Sequence, residues 1–112
     1  MITIGLTGSI GMGKTETSKI FLSYGIPVYD ADKAVHNLYG PNKKGSLAIK
    51  NIFPNCINED GSVNREILSK EVLDNKEKIK SLEQIIHPLV AEDRKIFFYE
   101  NRTAKIIILD VP

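Results

Sequence analysis

The sequence predicts an α/β fold of three layers, with helices on both faces of a parallel sheet. Three observations carry this. Apolar and β-branched residues from Ile2 run into a glycine cluster; strand-like and helix-like patterns then follow in the order strand, helix, strand, several helices, strand; and the last of these, Ala104 to Leu109, is a continuous apolar run closed by Asp110. A run of that length and composition is the mark of a central strand buried on both faces.

Each element has its own reason. Ile2 to Thr7 reads as a short buried strand that stops at Gly8, and a helix follows from Gly13, with Ile20, Phe21 and Leu22 among polar residues and Tyr24-Gly25 as its stop. Ile26 to Tyr29 reads as a second strand, which delivers Asp30-Ala31-Asp32 at its carboxyl end. A helix over residues 33–39 then needs an N-cap, and Asp30 or Asp32 supplies it. Gly45 to Phe53 reads as a short helix ended near Pro54, and Ser62 or Asn64 caps a helix that carries Ile67, Leu68, Val72 and Leu73. Lys76 to Ile86 and Leu89 to Tyr99 both show helical spacing, and His87-Pro88 predicts a break between them.

The 112 residues fit one domain, and a net charge of +1 gives no electrostatic case for a nucleic-acid or membrane-surface partner. No apolar run is long enough to span a bilayer, and the N-terminus lacks the basic region of a secretory signal. Cys56 stands alone, which excludes an intrachain disulfide and fits a reducing, cytoplasmic setting; a buried thiol is the expected role.

The order of elements brings Gly8 to Thr15, Asp30 to Asp32 and Asp110 to the carboxyl edge of the strands, where open parallel sheets bind ligands. Gly8-Ser9-Ile10-Gly11-Met12-Gly13-Lys14-Thr15 fits G-x-x-x-x-G-K-[ST] at every required position, between a strand and a helix, and so reads as a P-loop. Its glycines let successive N–H groups face an anion, and the helix start adds partial positive charge to the same place. Lys14 is placed to reach the β- and γ-oxygens of a triphosphate, and Thr15 to complete a Mg²⁺ shell. Asp110 ends the apolar strand in the manner of a Walker B carboxylate on the metal side, with a plain turn or cap as its other reading. Of the two aspartates after the second strand, one is expected to cap, and Asp32, farther out, is assigned as the base for an attacking hydroxyl. The residues alone leave His87 and Arg65 open between substrate contacts and a satisfied helix-end or solvated side chain.

Five segments taken together, GLTGSIGMGKT, the DAD of Asp30 to Asp32 with Ala34 and His36, EDGSVNREIL, LEQIIHPLV and IIILDVP, resemble the dephospho-CoA kinase family in order and spacing over essentially the whole chain. The resemblance implies a P-loop NTPase fold of the nucleoside-monophosphate-kinase kind with a helical CoA-binding part and a mobile lid. It also implies transfer of the ATP γ-phosphate to the 3′-hydroxyl of dephospho-CoA, the last step of coenzyme A synthesis. Carried over, the family's ATP loop falls on Gly8 to Thr15, with Gly11, Met12, Gly13, Lys14, Thr15 and Glu16 as its core, and its proposed base falls on Asp32; Arg65 and His87 lie in segments tied to the acceptor. Glu16 departs from the Ser or Thr usual after the loop, but a helical Glu16 should leave the phosphate cradle intact. Family chains also continue past a DVPLLFE-like segment for most of another such length. The expectation is therefore the N-terminal part of a kinase domain, truncated after its third strand, with residues 40–100 forming a mostly helical acceptor-binding region. If the last strand lies beside the first, the first becomes an exposed apolar edge and the free chain is aggregation-prone. Two other functions use the same phosphate loop: a nucleotide switch or NTP hydrolase, and a nucleotide-binding fragment without catalysis.

Overall fold

The structure, a computed structural model, describes residues 1–6 and 12–110, with side chains described for 1–6 and from Thr17 to Asp110. The elements are β1 (Ile2–Leu6), α1 (Met12–Ser23), β2 (Val28–Asp30), α2 (Ala31–Leu38), α3 (Lys44–Ile52), a 3₁₀ turn (Pro54–Cys56), α4 (Arg65–Val72), α5 (Lys76–Glu100) and β3 (Ile106–Asp110). They form two compact units, Met1–Ala34 with Glu92–Pro112, and Val35–Ala91.

The first unit is built on a parallel sheet in the order β1-β3-β2. Its last-formed strand is central: β3 pairs with β1 from Ile2↔Ile106 to Leu6↔Asp110 and with β2 from Val28↔Ile108 to Asp30↔Asp110. Ile107 and Ile108 point to opposite faces and both are fully buried, as the apolar run requires. Register then sorts the helices. Tyr29 and Leu109 share one face, and Tyr29 meets Asp93 and Phe97 of α5; Asp30 and Asp110 share the other, where Asp110 meets Ser18 of α1. The sheet therefore has a helix on each face, in agreement with the three-layer expectation.

Helix α1 ends as the sequence predicts, and the geometry explains why glycine is there. Ile26 N–H donates to the Phe21 carbonyl and Gly25 N–H to the Leu22 carbonyl, the paired bonds of a Schellman cap, with Gly25 at φ +75° where a Cβ would be strained. One early expectation fails. β1 is not buried: Ile2 is 62% and Ile4 38% exposed, because β1 pairs with β3 alone and lies at the sheet edge. The edge position is the one anticipated from the strand order.

The second unit is helical. Tyr39, Ile49, Phe53, Cys56, Val63, Leu68 and Ile86 form its core, with Val35, Val72, Leu82, Ile85 and Val90 packed against them. Gly45 allows α3 to start against the end of α2, since a Cβ there would lie 2.6 Å from the Leu38 carbonyl oxygen. Of the two candidate caps for α4 the structure uses Asn64, whose Oδ1 accepts from Ile67 N–H at 3.1 Å.

The predicted break at His87-Pro88 is absent: α5 runs unbroken for 25 residues with Pro88 inside it. Proline removes one hydrogen bond, to the Gln84 carbonyl, but the apolar stripe through Leu82, Ile85 and Ile86 before it and Val90 after it packs on one core, and that burial outweighs the lost bond.

Candidate phosphate-binding and catalytic site

Three register-paired residues form a row across the carboxyl edge of the sheet: Leu6, Asp110 and Asp30. The row fixes the site. β1 ends at Leu6 and α1 begins at Met12, so a helix N-terminus, with its partial positive charge, follows the glycine-rich stretch of the sequence. Gly8, Ser9 and Gly11 lie outside the described residues; Met12, Gly13, Lys14, Thr15 and Glu16 occupy the start of α1, their side chains outside the described set.

Asp110 is 5% exposed, and its Oδ2 accepts a hydrogen bond from Ser18 Oγ at 3.1 Å. Beside it is a cavity of about 140 Å³ lined by Ser18, Lys19, Val28, Asp30, Lys33 and Asp110 among others. Two acidic and two basic residues thus line this cavity on the α1 face of the sheet.

The choice between Asp30 and Asp32 is resolved by geometry. Asp30 Oδ1 accepts from Asp32 N–H at 3.0 Å and Lys33 N–H at 3.2 Å, which makes Asp30 the cap of α2. Asp32 sits exposed in the first turn of α2, and its carboxylate has no hydrogen bond or ion pair with any described residue. One carboxylate caps the helix and the other does not.

Tyr29 anchors β2, the strand that ends at Asp30. It is 5% exposed; its hydroxyl donates to Asp93 Oδ2 at 3.0 Å and its ring lies 5.3 Å from that of Phe97. Burial, and then the bond to the Asp93 carboxylate, push its phenol well above the ordinary tyrosine range.

Arg65 and His87 belong to the helical unit. Arg65 is the first residue of α4, exposed, with its guanidinium 5.3 Å from the centroid of the Tyr39 ring, a cation–π distance. His87 is exposed on α5, next to Pro88. Cys56 is 1% exposed, and burial raises its thiol pKa, as expected of a structural cysteine.

Sequence reasoning missed Ser18, Tyr29, Asp93 and Tyr39. A serine three residues after Thr15 and a tyrosine just before Asp30 were visible, but their partners lie 92 and 64 residues away.

Comparison with known proteins places this geometry. The family model described as dephospho-CoA kinase matches residues 2–112. The chain belongs to the dephospho-CoA kinase family. It is 46% identical to the dephospho-CoA kinase of Zymomonas mobilis over 112 residues, covering 100% of this chain and 56% of the relative. The Jannaschia sp. dephospho-CoA kinase is 42% identical over 97% of this chain and 56% of its own length. Among solved structures, the dephospho-CoA kinase from Campylobacter jejuni superposes with a TM-score of 0.80 at 27% identity, over 98% of this chain and 58% of that one. TT1252 from Thermus thermophilus gives 0.77 at 29%, over 99% and 56%. The chain thus spans little more than half the length of the family members it matches.

Proposed function

We propose that this chain carries the phosphate-binding and acceptor-side parts of a dephospho-CoA kinase, which transfers the ATP γ-phosphate to the 3′-hydroxyl of dephospho-CoA. The observation that carries the reading is the row Leu6, Asp110, Asp30 at the sheet edge, with α1 beginning just after the glycine loop and Asp32 free of backbone duty. Family membership supplies the substrates. The loop from Gly8 to Thr15 wraps the phosphates through backbone N–H groups, and Lys14 adds a point charge on the β- and γ-oxygens. Asp32 accepts the proton of the attacking ribose hydroxyl.

The donor set fits Mg²⁺: Asp110 offers a buried, hydroxyl-bonded carboxylate at the metal side of the loop, and hard oxygen ligands are what that ion takes. Thr15 and Asp110 would hold it, directly or through water, and when bound it neutralises charge on the β- and γ-phosphates. The helical unit, Val35–Ala91, is read as the acceptor-binding region, with the exposed Arg65, steered by the Tyr39 ring, and His87 as contacts for the anionic groups of dephospho-CoA.

The test uses the full-length protein with Mg-ATP and dephospho-CoA, the product CoA being separated and quantified. The parent should form CoA, and Asp32→Asn should lower kcat by roughly 10²–10⁴-fold with ATP affinity retained. ATP hydrolysis indifferent to acceptor would overturn the reading, and equal turnover in Asp32→Asn would overturn the base assignment.

A further inference from the structure

We propose that Ser18 is a positioning residue: it ties the Asp110 carboxylate, the proposed Mg²⁺ ligand, to α1, the helix on which Lys14 and Thr15 lie. The inference rests on the kinase reading of the site, which does not itself give Ser18 a role.

Ser18 is an unusual tenant of its position. A serine inside a helix ordinarily returns its hydroxyl to a carbonyl one turn back, and Ser23 of the same helix does so, donating to the Ile20 carbonyl at 2.6 Å. Ser18 instead sends its Oγ across to Asp110 Oδ2, 3.1 Å away and 92 residues distant in sequence. Both side chains are buried, at 9% and 5% exposure, so the bond is shielded from water and directional. Alanine has the higher helix propensity and would fill a sheet-facing position without burying a hydroxyl, so packing alone does not call for serine there.

The geometry gives the bond a task. Asp110 ends β3 beside Leu6, the residue from which the glycine loop departs. Ser18 engages one of the two oxygens of that carboxylate, Oδ2, and so ties it to α1. Ser18 also lies one turn beyond Lys14 and Thr15 in sequence, so one rigid helix carries both the P-loop residues and the donor to Asp110. Supporting donors of this kind fix the ligands of a cation without touching it. Ser18 is accordingly a positioning residue, acting through Asp110.

The experiment compares Ser18→Ala, Ser18→Thr and the parent in the full-length protein, reading three quantities: the free Mg²⁺ giving half-maximal rate, the affinity for Mn²⁺ in the presence of ATP by electron paramagnetic resonance, and urea stability. Ser18→Ala should raise the half-saturating Mg²⁺ and the Mn²⁺ dissociation constant by about tenfold or more, with ATP affinity measured without metal unchanged. Ser18→Thr, which keeps the hydroxyl, should restore most of the loss. In an Asp110→Asn background, Ser18→Ala should add nothing further. If the alanine variant does not fold, Ser18→Cys, close in volume and a weaker donor, carries the same test. Loss of stability with unchanged metal dependence would overturn the proposal, as would failure of threonine to rescue a folded protein. Absence of CoA formation in the parent would overturn the kinase reading instead, while the Mn²⁺ titration would still judge Ser18.

Discussion

At the scale of single residues, two neighbours on one short strand illustrate how a fold spends its polar groups. Tyr29 is buried and bonded to Asp93, and its phenol holds its proton more tightly in the folded chain than in the unfolded one, whose tyrosines titrate near 10. Its contribution to stability is therefore complete below pH 10 and falls as pH rises above that value, because the unfolded chain ionises first. Tyr39, also raised by burial, adds to the same limb. Urea unfolding at pH 8, 9, 10 and 11 should show this alkaline loss, and Tyr29→Phe should make the curve flatter. Asp30 works through its acceptor capacity alone: Asp30→Ala removes the cap of α2 and should cost about 1 kcal/mol, measurable by urea unfolding. A prediction for Cys56 follows from its burial, namely that a thiol reagent labels the native chain far more slowly than the urea-unfolded chain.

At the scale of elements, α5 is the instructive case. An exposed proline inside a helix costs up to about 3 kcal/mol relative to alanine, so Pro88→Ala should raise the unfolding free energy by roughly 1–3 kcal/mol in urea titrations. A smaller or opposite effect would mean that Pro88 shapes the helix for a purpose. The element also shows where sequence reading loses its grip. Local rules found the first strand and the helix after it, the stop at Gly25 and the end of α3 near Pro54, because each is decided by a few residues and their immediate backbone. The same rules broke α5 at Pro88, because what keeps it whole is a core assembled from Tyr39, Ile49 and Leu68 on other elements. The site divides in the same way. The row of Asp110 and Asp30 was legible from strand endings, whereas the bonds Ser18 to Asp110 and Tyr29 to Asp93 cross 92 and 64 residues and leave no spacing to read. The choice of Asp30 over Asp32 as the cap needed the Asp30 Oδ1 distances.

At the scale of the whole molecule, the exposed edge of the sheet dominates. Ile2 and Ile4 on β1 present apolar surface along a strand that pairs with β3 alone among the described residues, a template for pairing between copies. A polypeptide of these 112 residues alone should self-associate, and Ile4→Lys should shift it toward monomer in size-exclusion chromatography with light scattering. The strand order has a further meaning in time. Neither β1 nor β2 pairs with the other; each pairs with β3, and Ile2 waits for Ile106, about a hundred residues later. At a synthesis rate of about 5–20 residues per second, the N-terminal strand is out of register with any partner for roughly 5–20 s. The helical core, from Tyr39 to Ile86, contains no residue of β3 and so needs none of it to form. On the ribosome, then, the helical unit is the part able to settle first, and β1 and β2 lack their common partner until the chain has passed Asp110.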